Sequence, residues 1–196
     1  MKGTARFHPP FFGKGITMRF LSLLLLSLTL SFSAQAQTPV SKETANSYFD
    51  NCAAQPAGES LSADSQNMLC ACTAARLTQF FTVEDMQAMA DPNRPEARLA
   101  VNKMLVEIYA PCMEAPTRDF HYNACITNPD TARYGDPQRI CPCMADAVAG
   151  HMRNNGPAVF RDILTRNPTI VDPMAALVDD PGFKQFAQSK LLACVR

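Results

Sequence analysis

The chain has 196 residues, 47% hydrophobic and 18% charged, a balance that excludes a disordered or polyelectrolyte protein. All 18 Asp and Glu follow residue 36, whereas Lys2, Arg6, Lys14 and Arg19 precede it, so residues 37–196 carry 14 basic and 18 acidic groups, a net charge of −4. An acidic surface with no cluster of Lys or Arg repels a phosphate backbone and argues against nucleic acid as a partner.

The first 36 residues read as a leader. Met18-Arg19 is followed by an apolar run from Phe20 to Leu30 and then by Ala34-Gln35-Ala36. This is a positive n-region, a short h-region and an Ala-x-Ala cleavage site, the parts of a secretory signal. A membrane span needs about 20 apolar residues, so this run is too short to remain as an anchor. Translation is expected to begin at Met18, with residues 1–17 as an upstream extension, and the mature chain at Gln37. No transmembrane span is expected after cleavage. Export, to the periplasm or beyond the cell, sets an oxidising environment for the cysteines.

Beyond the leader every predicted element is helical. Thr38-Pro39 and Ser41 offer a start for a first helix running to about Ala54, and Ser62 can cap a second in which Leu69, Thr73, Leu77 and Phe80 recur at near-helical spacing. Thr82-Val83-Glu84-Asp85 resembles a capping box and opens a short helix to Ala90. After Pro92 and Pro95 comes a stripe of Val101, Met104, Leu105, Ile108 and Cys112, which Pro111 is expected to end. The next helix is expected over about 118–126. Gly135-Asp136-Pro137 opens another, running to about Met152, where Asn154-Asn155-Gly156 reads as a stop and Pro157 as a fresh start. A helix carrying Val159, Phe160, Ile163 and Leu164 follows, then a short one over 174–178. Asp180-Pro181 starts the last, which carries Phe183, Phe186, Leu191 and Cys194. Alternating strands are absent, so the fold class is all-α.

The cysteines supply the most specific signal. They stand at Cys52, Cys70, Cys72, Cys112 and again at Cys125, Cys141, Cys143, Cys194: in each set one Cys, a Cys-x-Cys, and one Cys. Leu69-Cys70-Ala71-Cys72 faces Ile140-Cys141-Pro142-Cys143, and Tyr48-Phe49-Asp50-Asn51-Cys52 resembles the residues up to Cys125. The pattern predicts a duplicated, disulfide-stapled unit of about four helices, with repeats at 37–114 and 115–196. Residues i and i+2 of a helix point about 200° apart, so the two members of each Cys-x-Cys reach different neighbours rather than one another. Cys52 and Cys112 are therefore expected to share Cys70 and Cys72, and Cys125 and Cys194 to share Cys141 and Cys143, with the individual pairs open.

Two other chemistries suit parts of the pattern. Cys141-Pro142-Cys143, with Arg139 nearby, is a candidate redox pair if a helix begins there, because a helix N-terminus and a cation lower a thiol pKa. Met86 and Met89, with His121 and His151 elsewhere, offer soft and imidazole ligands that suit Cu(I), making a copper carrier a further alternative. Glu84-Asp85 and Asp179-Asp180 are paired carboxylates, but both fall at helix starts, where the macrodipole favours negative charge. No serine-hydrolase elbow, phosphate-binding glycine loop or His-Glu-x-x-His pair is present, so no cofactor and no metal are assigned. The expected function is non-enzymatic: binding a protein, peptide or envelope component through a helical surface or a groove between repeats, near residues 111–120.

Overall fold

The computed structural model describes residues 37–56, 61–170 and 172–195. The leader, its cleavage site and the expected start at Met18 lie outside the described residues. Among the described residues eight α-helices follow one another: α1 (Lys42–Ala53), α2 (Ala63–Phe80), α3 (Val83–Ala90), α4 (Ala97–Lys103), α5 (Glu114–Thr127), α6 (Pro137–Arg166), α7 (Pro173–Asp179) and α8 (Pro181–Val195). No strand occurs among them. An antiparallel bridge between Pro39 and Thr82 pins the segment before α1, with Val40 N–H donating to the Phe81 carbonyl at 3.1 Å.

The predicted caps form. Ser41 Oγ accepts from Thr44 N–H and Ser62 Oγ from Ser65 N–H. Thr82 and Asp85 complete a reciprocal capping box, each side chain accepting from the other's N–H at 3.1 Å. Asp satisfies the box as well as Glu because one of its carboxylate oxygens still reaches the Thr82 N–H. Asp180 Oδ1 caps α8 by accepting from Phe183 N–H at 2.8 Å.

Three boundaries differ from the sequence reading. The stripe from Val101 to Cys112 leaves α geometry at Met104, passing through a π-helical turn (Met104–Tyr109) and a 3₁₀ turn (Ala110–Cys112). Pro111 supplies no N–H, so in an α ladder the Glu107 carbonyl would lack a donor; Arg76 Nε fills that role from α2 at 2.5 Å. Before α5, the helix begins at Glu114 rather than near Arg118, with Pro116 and Thr117 in its buried first turn.

The third difference is larger. Asn154-Asn155-Gly156-Pro157 neither stops nor restarts a helix, and α6 runs unbroken for 30 residues with Pro142 and Pro157 inside it. Gly156 is needed for proximity, not for a turn: a Cβ there would lie 2.4 Å from the Ala110 carbonyl oxygen. The glycine that does make a turn is Gly135, whose φ of 140° sets up the Asp136 cap of α6.

α6 is the spine of the structure. α5 and α8 pack along it, α1 packs on α2, and α2 touches α5. The main core joins Leu105, Val106, Ala110 and Met113 to Met144, Val148, Met152, Phe160 and Phe183, so the segment before residue 114 helps bury α6. A second cluster of Val40, Leu77, Phe81 and Ile108 lies under α1 and α3. No helix among the described residues is long and apolar enough to cross a membrane.

Candidate functional site

The eight cysteines form four disulfides, Cys52–Cys70, Cys72–Cys112, Cys125–Cys141 and Cys143–Cys194, with Cα–Cα separations between 5.5 and 5.9 Å. Neither Cys-x-Cys bridges to itself. On α2, Cys70 holds α1 and Cys72 holds the 3₁₀ turn; on α6, Cys141 holds α5 and Cys143 holds α8. The i, i+2 divergence on a helix imposes this, because each sulfur faces a different flank. Cross-links of this number belong to an oxidising, non-cytoplasmic compartment.

Cys141 and Cys143 are thus tied to two different helices, and Cys141 is fully buried. The helix that carries them begins four residues earlier, at Pro137, so Cys141 sits in its second turn rather than at the positive N-terminus a reactive thiolate would use. The expected groove at residues 111–120 is filled: Cys112, Met113, Pro116 and Thr117 are buried there. That junction became core because the chain turns inward between the 3₁₀ turn and α5 to pack on α6.

Concave surface lies elsewhere. One cleft of about 410 Å³ opens between α1 and α3 and is lined by Tyr48, Leu77, Phe81, Met86, Met89 and Met104. Sequence reading singled out Met86 and Met89 from their spacing on one helix turn. It missed Met104, which reaches the same cleft from the π-helical turn, and Tyr48, whose hydroxyl is bonded to the Tyr109 hydroxyl at 2.9 Å. The capping-box Asp85 at the start of α3 accepts from Lys103 Nζ at 2.5 Å, tying α3 to the end of α4.

A second pocket of about 240 Å³ opens between α5 and α8, with Cys125 and Met144 among its lining. It gathers His121, Asn128, Lys184 and Gln188 around an apolar interior. His121 has Phe120 and Phe183 rings at 5.4 and 5.8 Å, and its buried Nε2 has no hydrogen-bond partner. Burial pushes its pKa down to about 4, so the ring is neutral at pH 7. His151, on α6, instead stacks on Phe186 at 4.1 Å; burial and the Lys190 ammonium lower its pKa too. The two histidines therefore sit in different environments and share no ligand position with Met86 or Met89.

The paired carboxylates take structural roles. Thr38 N–H donates to Glu84 at 3.1 Å, and Asp180 accepts from Arg166 Nη2 at 2.7 Å while capping α8. Among the described residues no group of three or more His, Cys, Asp or Glu is placed to hold a metal ion. Comparison of the chain with family models, with curated proteins and with solved structures gives no match.

Proposed function

We propose that this is an exported, disulfide-stapled, non-enzymatic binding protein of the periplasm or cell exterior, built by duplication of a four-helix unit. The duplication reading is supported by the parallel linkage: in each half the first cysteine pairs with the first of the Cys-x-Cys, and the last with the second. Its partner is a protein, peptide or envelope component that presents an apolar segment. The observation that carries this is the methionine-lined cleft between α1 and α3, in which Met86 is exposed to solvent. Flexible thioether side chains fit varied apolar shapes, and a groove beside a helix is a common way to seat a partner's apolar side chains.

A photo-reactive side chain in place of Met86, in cells exporting the protein, tests the reading. A discrete cross-linked partner from position 86, absent when the same group replaces the exposed Arg133, is expected. Identical products from both positions, or none, would sink it. Alkylation of the purified exported protein before and after reduction separates the redox alternative: free thiols confined to Cys141 and Cys143 would put dithiol chemistry in its place.

One observation favours a second reading. Three methionine side chains, Met86, Met89 and Met104, line the same cleft, and a set of thioethers suits Cu(I). Under anaerobic conditions, one equivalent of Cu(I) retained by the protein, and lost in M86L/M89L/M104L, would establish it.

A further inference from the structure

We infer that the pocket between α5 and α8 is a second binding site, independent of the methionine cleft, that takes a small monocarboxylic acid: the apolar body enters between the helices against the His121 ring and the carboxylate faces Lys184 and Gln188.

The pocket is preformed by the staples. Cys125–Cys141 fixes α5 to one flank of α6, and Cys143–Cys194 fixes α8 to the other. Its two walls are therefore covalently tied to the same spine, and little ordering remains to be done when a ligand enters. The interior is apolar, with Met144 from α6 and Ala187 and Leu191 from α8, and Ala124 of α5 stands at its mouth. A volume of about 240 Å³ suits a short-chain acid of about six carbons.

Charge decides the polar end. The lining contains one full charge, the Lys184 ammonium, and no Asp or Glu. Asp179 lies outside the lining and pairs with Lys184 only at 3.4 Å, with both side chains exposed, a contact that contributes little and is open to competition from a ligand carboxylate. Asn128 and Gln188 add neutral amide donors. His121 adds a neutral aromatic wall to the pocket, its Nε2 buried away from the surface. A cationic ligand would be repelled by the Lys184 ammonium, and a purely apolar one would gain nothing from the ammonium and amide side chains at the rim.

The test titrates sodium hexanoate, and separately hexan-1-ol, into the intact oxidised protein at pH 7, observing the imidazole and Lys184 signals by NMR. Saturable binding of hexanoate that shifts the His121 ring and Lys184 signals is expected, with the alcohol about tenfold weaker or more. Lys184→Met, which keeps the aliphatic stem, should weaken hexanoate about tenfold. Ala124 is exposed on α5, so Ala124→Leu fills the mouth without disturbing the core and should abolish binding. No saturable shift, equal affinity for acid and alcohol, or undiminished binding by A124L would each overturn the proposal. None of these results bears on the cross-linking outcome at Met86, so either reading can fail alone.

Discussion

Acidification from pH 7 to pH 5 is expected to remove about 2 kcal/mol of stability through His121 alone. In the unfolded chain this imidazole takes up a proton below its ordinary value of 6.5, but in the fold burial holds it neutral down to about 4. Between those values the unfolded state binds more protons than the folded one, so stability falls as the pH falls. The contribution is intact above 6.5, and the loss levels off below 4 at about 3 kcal/mol, since each tenfold drop in proton affinity is worth roughly 1.4 kcal/mol. Among the described residues burial alone sets the shift, with no carboxylate acting against it: the neighbours are the Phe120 and Phe183 rings, with Lys184 lining the same pocket. The Arg153 guanidinium holds the Glu114 carboxyl below its ordinary 4.5. Burial alone would raise the Asp119 carboxyl, but hydrogen bonds from Ser62 outweigh it and hold the group below its ordinary 3.8. Both carboxylates lose their contributions only at still lower pH, leaving the window above 4.5 to the histidines. His151 acts in the same direction, so the comparison must be with His121→Phe, which keeps a ring in the site and removes the titration. Urea midpoints for the two proteins at pH 7 and pH 5 give the difference. If wild type and H121F lose the same stability on acidification, or if the His121 ring titrates near 6.5 by NMR, the reasoning is refuted.

Other outcomes follow from particular contacts. Gly156→Ala improves helix propensity by about 1 kcal/mol, but its Cβ would collide with the Ala110 carbonyl, so a net loss of about 1–3 kcal/mol is expected in urea unfolding; a gain would mean the approach is not tight. Arg76→Met removes both the donor to the Glu107 carbonyl and the guanidinium over the Phe80 ring, for an expected loss of about 1–3 kcal/mol. An unchanged midpoint would show that the carbonyl finds another donor. Limited reduction should open Cys143–Cys194 first, because Cys143 is exposed whereas Cys70, Cys112, Cys125 and Cys141 are buried; timed alkylation with peptide mapping reads the order. Replacing both cysteines of that bridge with alanine removes a closed loop of 51 positions, worth about 4 kcal/mol by chain entropy. A thermal or urea measurement showing no loss would contradict that account.

Local chemistry was enough to make much of this architecture readable from the residues in order. The Ser41, Ser62 and Thr82/Asp85 caps are short-range hydrogen bonds between neighbours, so the sequence alone placed the starts of α1, α2 and α3. The i, i+2 divergence of Cys-x-Cys depends only on helix geometry, and it was enough to send each pair outward to two neighbours. What depended on distant parts of the chain was legible only in three dimensions. Gly156 reads as a stop until the Ala110 carbonyl is found against it, and nothing in the stripe before Pro111 shows that Arg76 of α2 donates to the Glu107 carbonyl. Met104 joins Met86 and Met89 only because the Pro39–Thr82 bridge and the Lys103–Asp85 ion pair hold α3 in place, and Lys184 joins His121 only because α6 holds α5 and α8 through two disulfides. Periodicity reports which face of a helix is apolar, but a cleft arises where two such faces fail to close, and that is set by tertiary packing.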